Sequence, residues 1–466
     1  MNLIKVVLVL IVSGIFLNSL AQSDDANVLF IIVDDLRPEL NCYGVDEVKS
    51  PNIDKLASEG YLFENAYCQV PVCGASRASI LSGLRPERNR FVNYFTWLEK
   101  DAPEIPSLPA YFKENGYTTL SNGKIFHHLT DSKDSWSEDP HQPDGRWRDY
   151  QSAKNISEAI QNNKTDNKYL AASTENADVD DNAYWDGIVT DKTIKDLKKF
   201  KETGEKFFIA YGLRKPHLPF NAPKKYWDLY NREDIKLADN PFIPKDAPEA
   251  SMHTWGELRA YTDIPNEGPV SDEKAKELIH GYYACTSYID AQIGKVMEAL
   301  VDLELDKNTV IVFVGDHGWQ LGEHSLWCKH SNYDTSLKSP MLIKVPGLKN
   351  NIRISELTEF IDVYPTLCSL TGLSLPEHLQ GDDLSPLLNG NAENWKDAVY
   401  SRFHDGESVK TEKYLYTEFV NDSGEIYDRM LYDHKNDPDE NTNVAELPEY
   451  KEIVKKHSKL LASVRK

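Results

Sequence analysis

The feature that most constrains the fold is a pair of short, almost uninterrupted apolar segments. Residues 28–33 read VLFIIV and residues 310–314 read VIVFV. A strand covered by helices on both faces has this composition, whereas a strand with one face in water alternates apolar and polar residues. The chain therefore predicts an α/β fold in which a large, mostly parallel sheet is flanked by helices.

Four strand-like segments each deliver titratable residues to the loop that follows. Residues 117–120 and 207–211 add two such segments to the pair above. Because the carboxyl ends of parallel strands lie at one edge of a sheet, where ligands bind, we expect these residues to converge. In chain order they are Asp34, Asp35, Lys124, His127, His217, Asp316 and His317.

Helical patterns separate the predicted strands. Helices are predicted over residues 52–59, which follow Ser50-Pro51, and over residues 107–115, which end at Gly116. Two amphipathic stretches without internal proline predict further helices over residues 192–201 and 272–300. Two polar stretches with weak periodicity, about residues 130–181 and about residues 231–271, are interpreted as long surface insertions that wall the active site.

The chain also divides along its length. Residues 1–21 combine Lys5, an apolar run and small residues ending at Ala21, which predicts an export signal peptide. A retained membrane anchor is the alternative, and no later apolar run approaches the roughly 20 residues that span a bilayer. We expect a periplasmic or secreted protein without stable membrane insertion. Residues 22–375 are predicted as the catalytic domain and residues 376–466 as a small C-terminal α+β subdomain with a helix from Leu447.

Charge and cysteine content limit the partners. The formal net charge of −22 argues against nucleic acid and anionic membranes as partners. An anionic substrate must therefore be attracted by a local group of cations. The six cysteines have no zinc-site spacing, and one or two disulfides could form in an oxidising compartment with a pairing that the sequence leaves open. The oligomeric state is also left open.

The residues at the predicted sheet edge permit a definite chemistry. Asp34, Asp35 and Asp316 are oxygen donors suited to Ca²⁺ or Mg²⁺, and His317 could complete the site. Cys73 begins a predicted helix whose N-terminus favours an anion. The cations Arg77, Lys124 and Lys329 and the histidines His127 and His217 supply oxyanion binding and proton transfer. This set predicts transfer of sulfate or phosphate, although a thiol is a poor ligand for a hard metal.

The stretch CGASR, followed by ASILSGLRP, resembles the signature Cys-x-Pro/Ala-x-Arg of the type I, formylglycine-dependent sulfatases, in the alkaline-phosphatase-like superfamily. The similarity extends over nearly the whole chain and includes VDDLRPELNCYG, SPNIDKLASEG, GYTTLSNGKIFH, RKPHLPF, GDHGWQLGEH and LYDHKNDPDENTN. Within the family, LRPELNCYG, GKIFH, RKPH and KHSNYD resemble the iduronate-2-sulfatase-like branch most.

The resemblance implies a role for each residue. Cys73 would be oxidised by a maturase to formylglycine (3-oxoalanine), whose hydrate attacks sulfur. Arg77, Lys124 and Lys329 would bind sulfate oxygens. His217, alone or with Lys329, would protonate the leaving oxygen, and His127 would take the proton that releases sulfate. The implied Ca²⁺ ligands are Asp34, Asp35, Cys73, Asp316 and His317.

Two alternatives to a carbohydrate sulfatase remain at this stage. One is a phosphoryl-transfer relative with the same sheet, and the other is a sugar-binding protein that is no longer matured. The paired proton-transfer histidines disfavour the second alternative. The sequence does not name the sugar: a 2-sulfated uronic acid, ulvan, carrageenan or a glycosaminoglycan all remain open. Ala75 stands where many family members carry proline, so conversion of Cys73 depends on a maturase that accepts the alanine form.

Overall fold

The structure is a computed structural model that describes residues 26–143, 148–166 and 168–465. The predicted signal peptide, residues 1–21, lies outside these described residues. Within them, no helix has the length and apolar character needed to cross a membrane.

The strands carry a large sheet and a smaller one. The predicted strand at 28–33 is one residue longer, and the predicted strand at 117–120 begins one residue later and runs further. The strands are β1 (Asn27–Val33), β2 (Tyr61–Tyr67), β3 (Thr118–Gly123), β4 (Thr174–Glu175), β5 (Phe207–Leu213), β6 (Phe220–Asn221), β7 (Thr309–Gly315), β8 (Gln320–Leu321), β9 (Trp327–Cys328), β10 (Met341–Lys344), β11 (Ile352–Glu359), β12 (Ala398–Phe403), β13 (Gly406–Thr411), β14 (Tyr414–Val420) and β15 (Ile426–Asp433).

Seven strands form the large sheet in the order β11-β2-β10-β7-β1-β5-β3. Only β10 runs antiparallel to its neighbours, and the other pairs are parallel. The predicted mostly parallel sheet is therefore confirmed. The four strands that precede the candidate site residues, β7, β1, β5 and β3, are consecutive in the sheet, so their carboxyl ends form one continuous edge.

Helices cover both faces of the sheet. The bounds are α1 (Pro51–Ser58), α2 (Cys73–Ser82), α3 (Leu98–Asp101), α4 (Leu108–Glu114), α5 (Ala153–Asp166), α6 (Trp185–Thr203), α7 (Lys224–Trp227), α8 (Asp272–Asp302), α9 (Asp334–Leu337), α10 (Val363–Leu370), α11 (Ser385–Leu388) and α12 (Lys451–Val464). All four predicted helices are present. The prediction missed α5 inside the first polar insertion because its sequence, AKNISEAIQNNKTD, has little apolar surface to reveal the helical period.

The core explains why the strand β1 is apolar throughout. Leu29, Ile31 and Val33 pack in one apolar cluster with α1, α6 and α8. The alternate residues Phe30 and Ile32 pack in the opposite cluster with α2, α4 and α10. Both faces of the strand are buried, so neither set of alternating positions tolerates a polar side chain.

The chain ends in a four-stranded antiparallel sheet in the order β12-β13-β14-β15. Helix α12 packs on it through Val454 and Leu461. Val399 and Leu415 belong instead to the core of the large sheet, so the small sheet shares part of its apolar surface with the main body. All six cysteines are unpaired, and the disulfides considered from the sequence are not formed.

Candidate active site

The residues predicted to converge do meet at the carboxyl edge of the large sheet. Asp34 and Asp35 follow β1 directly, and Asp316 follows β7. The backbone N–H of Asp35 donates to Oδ1 of Asp316 at 3.0 Å, which joins the two strand ends. Asp35 has φ 60°, a left-handed conformation that aspartate adopts more readily than most residues. This turn brings two successive carboxylates to the same edge.

Cys73 lies at the first position of α2, opposite these carboxylates. Its Sγ is 3.8 Å from Oδ1 of Asp35 and 3.5 Å from Nε2 of His317. The first turn of α2 packs closely against the backbone at Asn93 because Gly74 has no side chain: a Cβ there would lie 2.9 Å from the carbonyl oxygen of Asn93. Burial raises the pKa of Cys73, so the side chain is a neutral thiol.

The acidic and soft donors form a compact cluster that could hold a metal. Asp34, Cys73, Asp316 and His317 each offer one ligand atom, and these atoms lie within 4.8 Å of one another. A second set exchanges Asp316 and His317 for Asp35 and His217. Carboxylate oxygens are the donors that Ca²⁺ prefers, and the three aspartates meet that requirement. The donor set therefore fits the calcium ion that the sequence resemblance implies.

Arg77 of α2 bridges two of the aspartates, Asp34 and Asp316. Its side chain is completely buried, and Nε donates to Oδ2 of Asp316 at 2.8 Å while Nη2 lies 3.4 Å from Oδ1 of Asp34. Nη1 donates to the carbonyl oxygens of Lys124 and Ile125. The guanidinium thus fixes the spacing of two carboxylates, and its predicted contact with sulfate stays a prediction.

Lys124 directly follows β3 and contacts one of these carboxylates. Its Nζ donates to Oδ2 of Asp34 at 2.5 Å. The chain can approach here because Gly212 of the neighbouring strand has no side chain: a Cβ would lie 2.1 Å from the carbonyl oxygen of Lys124. Burial opposes ionisation of Asp34, but Lys124, His217 and Arg77 outweigh it and hold the pKa of Asp34 well below its usual range.

Lys329 and His217 share a carboxylate that sequence reasoning missed. Nζ of Lys329 lies 3.1 Å from both oxygens of Asp35 and 2.9 Å from Oε2 of Glu257. Nε2 of His217 lies 3.0 Å from Oε1 of the same glutamate. Glu257 belongs to the second polar insertion, which was expected to wall the site. The predicted insertion was the only sequence signal that pointed to this region, and no motif identifies Glu257 within it.

The two histidines differ in their protonation. Burial disfavours the charged form of His217, but Asp35 and Glu257 outweigh it and raise its pKa to about 9. Burial and nearby Lys124 instead lower the pKa of His127 to about 2. The buried Nδ1 of His127 has no hydrogen-bond partner among the described residues. At neutral pH one histidine holds a proton and the other can accept one.

Comparison with known proteins identifies the family. The profile described as "Sulfatase" matches residues 26–373, and the profile described as "N-sulphoglucosamine sulphohydrolase, C-terminal" matches residues 322–466. The chain belongs to the sulfatase family. It is a sulfuric ester hydrolase.

Individual relatives agree with this assignment. This sulfatase is 37% identical to iduronate 2-sulfatase of Mus musculus over 410 residues, which cover 78% of this chain and 72% of that protein. Its fold is similar to that of a phosphonate monoester hydrolase from Silicibacter pomeroyi, with a TM-score of 0.76, 22% identity and 94% of each chain covered. A structure described as a 2-O GAG sulfatase matches with a TM-score of 0.70 and 23% identity, over 94% of this chain and 91% of that chain.

A cavity opens directly onto the charged cluster of this sulfatase. Its volume is about 300 Å³, at the small end of ligand pockets. Its lining includes Asp34, Lys124, His127 and His217, together with Leu129, Gln142 and Arg214. The cavity admits a ligand to both histidines at once.

Proposed function

We propose that this sulfatase removes a sulfate ester from a carbohydrate by means of a formylglycine made from Cys73 and a calcium ion. The observation that carries the proposal is the cluster in which ligand atoms of Asp34, Cys73, Asp316 and His317 lie within 4.8 Å of one another, beside a cavity lined by two histidines. Environments that push the pKa values of two groups apart mark the acid and the base of a site. His217, with a pKa of about 9, is the acid, and His127, with a pKa of about 2, is the base.

The thiol itself is a poor candidate for the nucleophile. Burial raises the pKa of Cys73, and nearby Asp34 adds to the effect, so little thiolate forms. Conversion to formylglycine removes this problem because its hydrate carries hydroxyl groups. Calcium held by Asp34, Asp35, Asp316 and His317 would lower the pKa of such a hydroxyl and neutralise charge on the sulfate group.

The remaining residues bind the sulfate and move protons. Lys124 and Lys329 lie on opposite sides of the aspartates and offer N–H donors to sulfate oxygens, while Arg77 holds two of the aspartates in place. His217 donates its Nε2 proton to the leaving sugar oxygen, and Glu257 keeps that ring oriented and charged. His127 accepts a proton through its unpartnered Nδ1 when sulfate is released.

The substrate we propose is a sulfated uronic acid or a related sulfated sugar at the end of a chain. The similarity to iduronate 2-sulfatase supports a 2-sulfate. A cavity of about 300 Å³ has room for one sugar residue, which supports action on chain ends. The partner needed for activity is a maturase that accepts Ala75 in the signature, and the enzyme acts after export to the periplasm or the medium.

One experiment tests the proposal in two steps. The protein is produced together with an anaerobic-type maturase, and the peptide that contains Cys73 is analysed by mass spectrometry. Formylglycine at Cys73, together with release of inorganic sulfate from 2-sulfated uronic acid oligosaccharides, is the expected result. An unmodified thiol in enzyme that nevertheless hydrolyses sulfate esters would contradict the mechanism. Release of phosphate from a matched phosphate monoester, without release of sulfate from the sulfate ester, would instead favour the phosphoryl-transfer alternative.

A further inference from the structure

The wall of the cavity that Asp34 lines also carries a cation with no assigned role. Arg214 directly follows β5, three positions before His217. Its backbone N–H donates to Oδ1 of Asp186 at 2.7 Å, and the next N–H, from Lys215, donates to Oδ2 at 3.0 Å. Asp186 on α6 thus fixes the backbone of this loop, and Arg214 lines the same cavity as Lys124 and His127.

The guanidinium of Arg214 is held in position but is not neutralised. It stacks on the ring of Trp185, with 3.7 Å between Cζ and the ring centroid, and Nη2 lies 3.4 Å from Oε1 of Gln142. Nη1 is buried and has no hydrogen-bond partner among the described residues. Burial lowers the pKa of Arg214 even though Asp149 and Asp186 attract its charge. A buried, charged N–H without an acceptor is unfavourable, so the free protein leaves a binding capacity unused.

A second arginine on a tryptophan shows that stacking alone does not produce this state. The guanidinium of Arg259 lies 4.1 Å from the ring centroid of Trp255. Its N–H groups donate to the carbonyl oxygens of Thr254, Pro265 and Gly268 at 2.9, 2.5 and 2.7 Å. Arg259 stabilises its own loop in this way, whereas Arg214 lines a ligand cavity and keeps Nη1 without an acceptor among the described residues.

The other cation on this wall is already engaged. Lys215 donates from Nζ to the carbonyl oxygens of Pro219 at 2.6 Å and His217 at 3.3 Å. Lys124 is paired with Asp34. Among the lysine and arginine side chains that line the cavity, Arg214 alone keeps a buried donor without an acceptor among the described residues.

We propose that Arg214, with Gln142 beside it, binds a second anionic group of the sugar whose sulfate ester is cleaved. The ligand chemistry is an oxyanion, either the carboxylate of a uronic acid or a further sulfate. Such a group accepts two parallel hydrogen bonds from the planar guanidinium, a geometry that lysine cannot supply. The inference rests on the proposed function, because the first anionic group is the sulfate held near Lys124.

The test compares matched substrates and matched variants. Turnover is measured on a uronic acid 2-sulfate glycoside and on its analogue with the carboxylate reduced to a primary alcohol. A hexose 2-sulfate with and without a 6-sulfate forms the second pair. We expect Arg214→Met to lower the ratio of kcat/KM within at least one pair about tenfold or more, with partial recovery in Arg214→Lys. Arg259→Met, which removes the other stacked arginine, leaves both ratios unchanged.

A binding measurement separates this inference from the proposed function. The unsulfated methyl uronide and its reduced analogue are titrated into the protein and followed by NMR. Stronger binding of the uronide to the wild type, lost in Arg214→Met, supports the inference without any turnover. Ratios that change less than twofold in Arg214→Met for both substrate pairs overturn it. Failure of the wild type to release sulfate from any substrate contradicts the proposed function and is read out separately.

Discussion

Two regions of this sulfatase bury charged side chains completely, and only one of them has the properties of a site. In the candidate active site, Asp34 and Asp316 meet Arg77, Asp35 meets Lys329, and a cavity opens onto the group. In the second region, Glu359 and Asp362 meet Arg85 and Lys396 near the end of β11. We name the second region the structural charge cluster.

The structural charge cluster is saturated. Both oxygens of Glu359 accept from Arg85, and Lys396 donates to Glu359 at 3.1 Å and to Asp362 at 2.7 and 2.9 Å. Backbone N–H groups of Glu359 and Asp382 complete the partners of Asp362 at 2.8 Å each. Every carboxylate oxygen has a donor, so no ligand is needed to balance the charge.

The aspartate oxygens of the candidate active site also have donors, so the difference between the two regions lies elsewhere. The candidate ligand atoms of the active site lie within 4.8 Å of one another, His127 keeps a nitrogen without a partner among the described residues, and a cavity admits a ligand. Buried charge therefore does not by itself mark function in this molecule. Convergent oxygen donors and unused hydrogen-bonding capacity beside a cavity do mark it, because they leave interactions for a ligand to complete.

The largest expected effect comes from Cys73, which should separate activity from stability. Cys73→Ala removes the precursor of the nucleophile, so we expect sulfate release to fall by at least about four orders of magnitude. The thiol makes only weak hydrogen bonds, at 3.5 Å to His317 and 3.8 Å to Asp35, so the free energy of unfolding should change by about 1 kcal/mol. Calcium binding, measured by isothermal titration calorimetry, should persist through the aspartates. Substantial turnover by this variant would refute the mechanism.

The opposite behaviour is expected of the structural charge cluster. Lys396→Met leaves Glu359 and Asp362 buried with one cation fewer, and loss of one partner from a buried ion pair costs about 3–5 kcal/mol. Urea denaturation should report that loss, while kcat of the folded fraction stays at the wild-type value. Lys396→Arg is the control that keeps the charge. A stable Lys396→Met with reduced kcat would make the two regions functionally alike and break the comparison.

A smaller effect should separate the two histidines of the site. His217→Ala removes the acid, so we expect a loss of about 10²- to 10⁴-fold on a sulfated oligosaccharide and a much smaller loss on nitrophenyl sulfate, whose leaving group needs no proton. His127 acts after that bond breaks. His127→Ala should therefore slow the turnover of both substrates alike, with a burst of leaving group before the slow phase. Equal losses on both substrates in both variants, without a burst, would reverse the assignment.

The smallest effect tests a histidine–glutamate pair outside the site. His434 lies 2.9 Å from Glu440, much as His217 lies 3.0 Å from Glu257. Burial opposes protonation of His434, but Glu440 and Asp334 outweigh it and Lys410, and its pKa is raised. A raised pKa stabilises the fold below about pH 6.5, the ordinary value for histidine, and the gain is lost as pH rises through the folded-state pKa.

His434→Gln should therefore flatten the pH dependence of unfolding by on the order of 1 kcal/mol. The measurement is urea denaturation at a series of pH values across that window. The pH dependence of kcat should not change, because His434 does not line the cavity of the active site. An altered activity profile would show that the pair communicates with the site.

The sequence by itself determined the sheet and most of the site. Apolar runs such as 28–33 can be read locally, because a strand buried on both faces needs apolar side chains at every position. A polar residue just after such a run lies at the carboxyl edge of the parallel sheet, because that is where the strand ends. Asp34, Lys124, His217 and Asp316 were therefore predictable from four short segments.

Only the tertiary structure decided how these groups are paired and protonated. Glu257 reaches Lys329 and His217 from an insertion with weak periodicity, so no local pattern gives its position. The opposite pKa shifts of His127 and His217 and the unused Nη1 of Arg214 likewise depend on burial and on partners far away in the chain. Such properties arise from distances between segments, which the order of residues within any one segment does not encode.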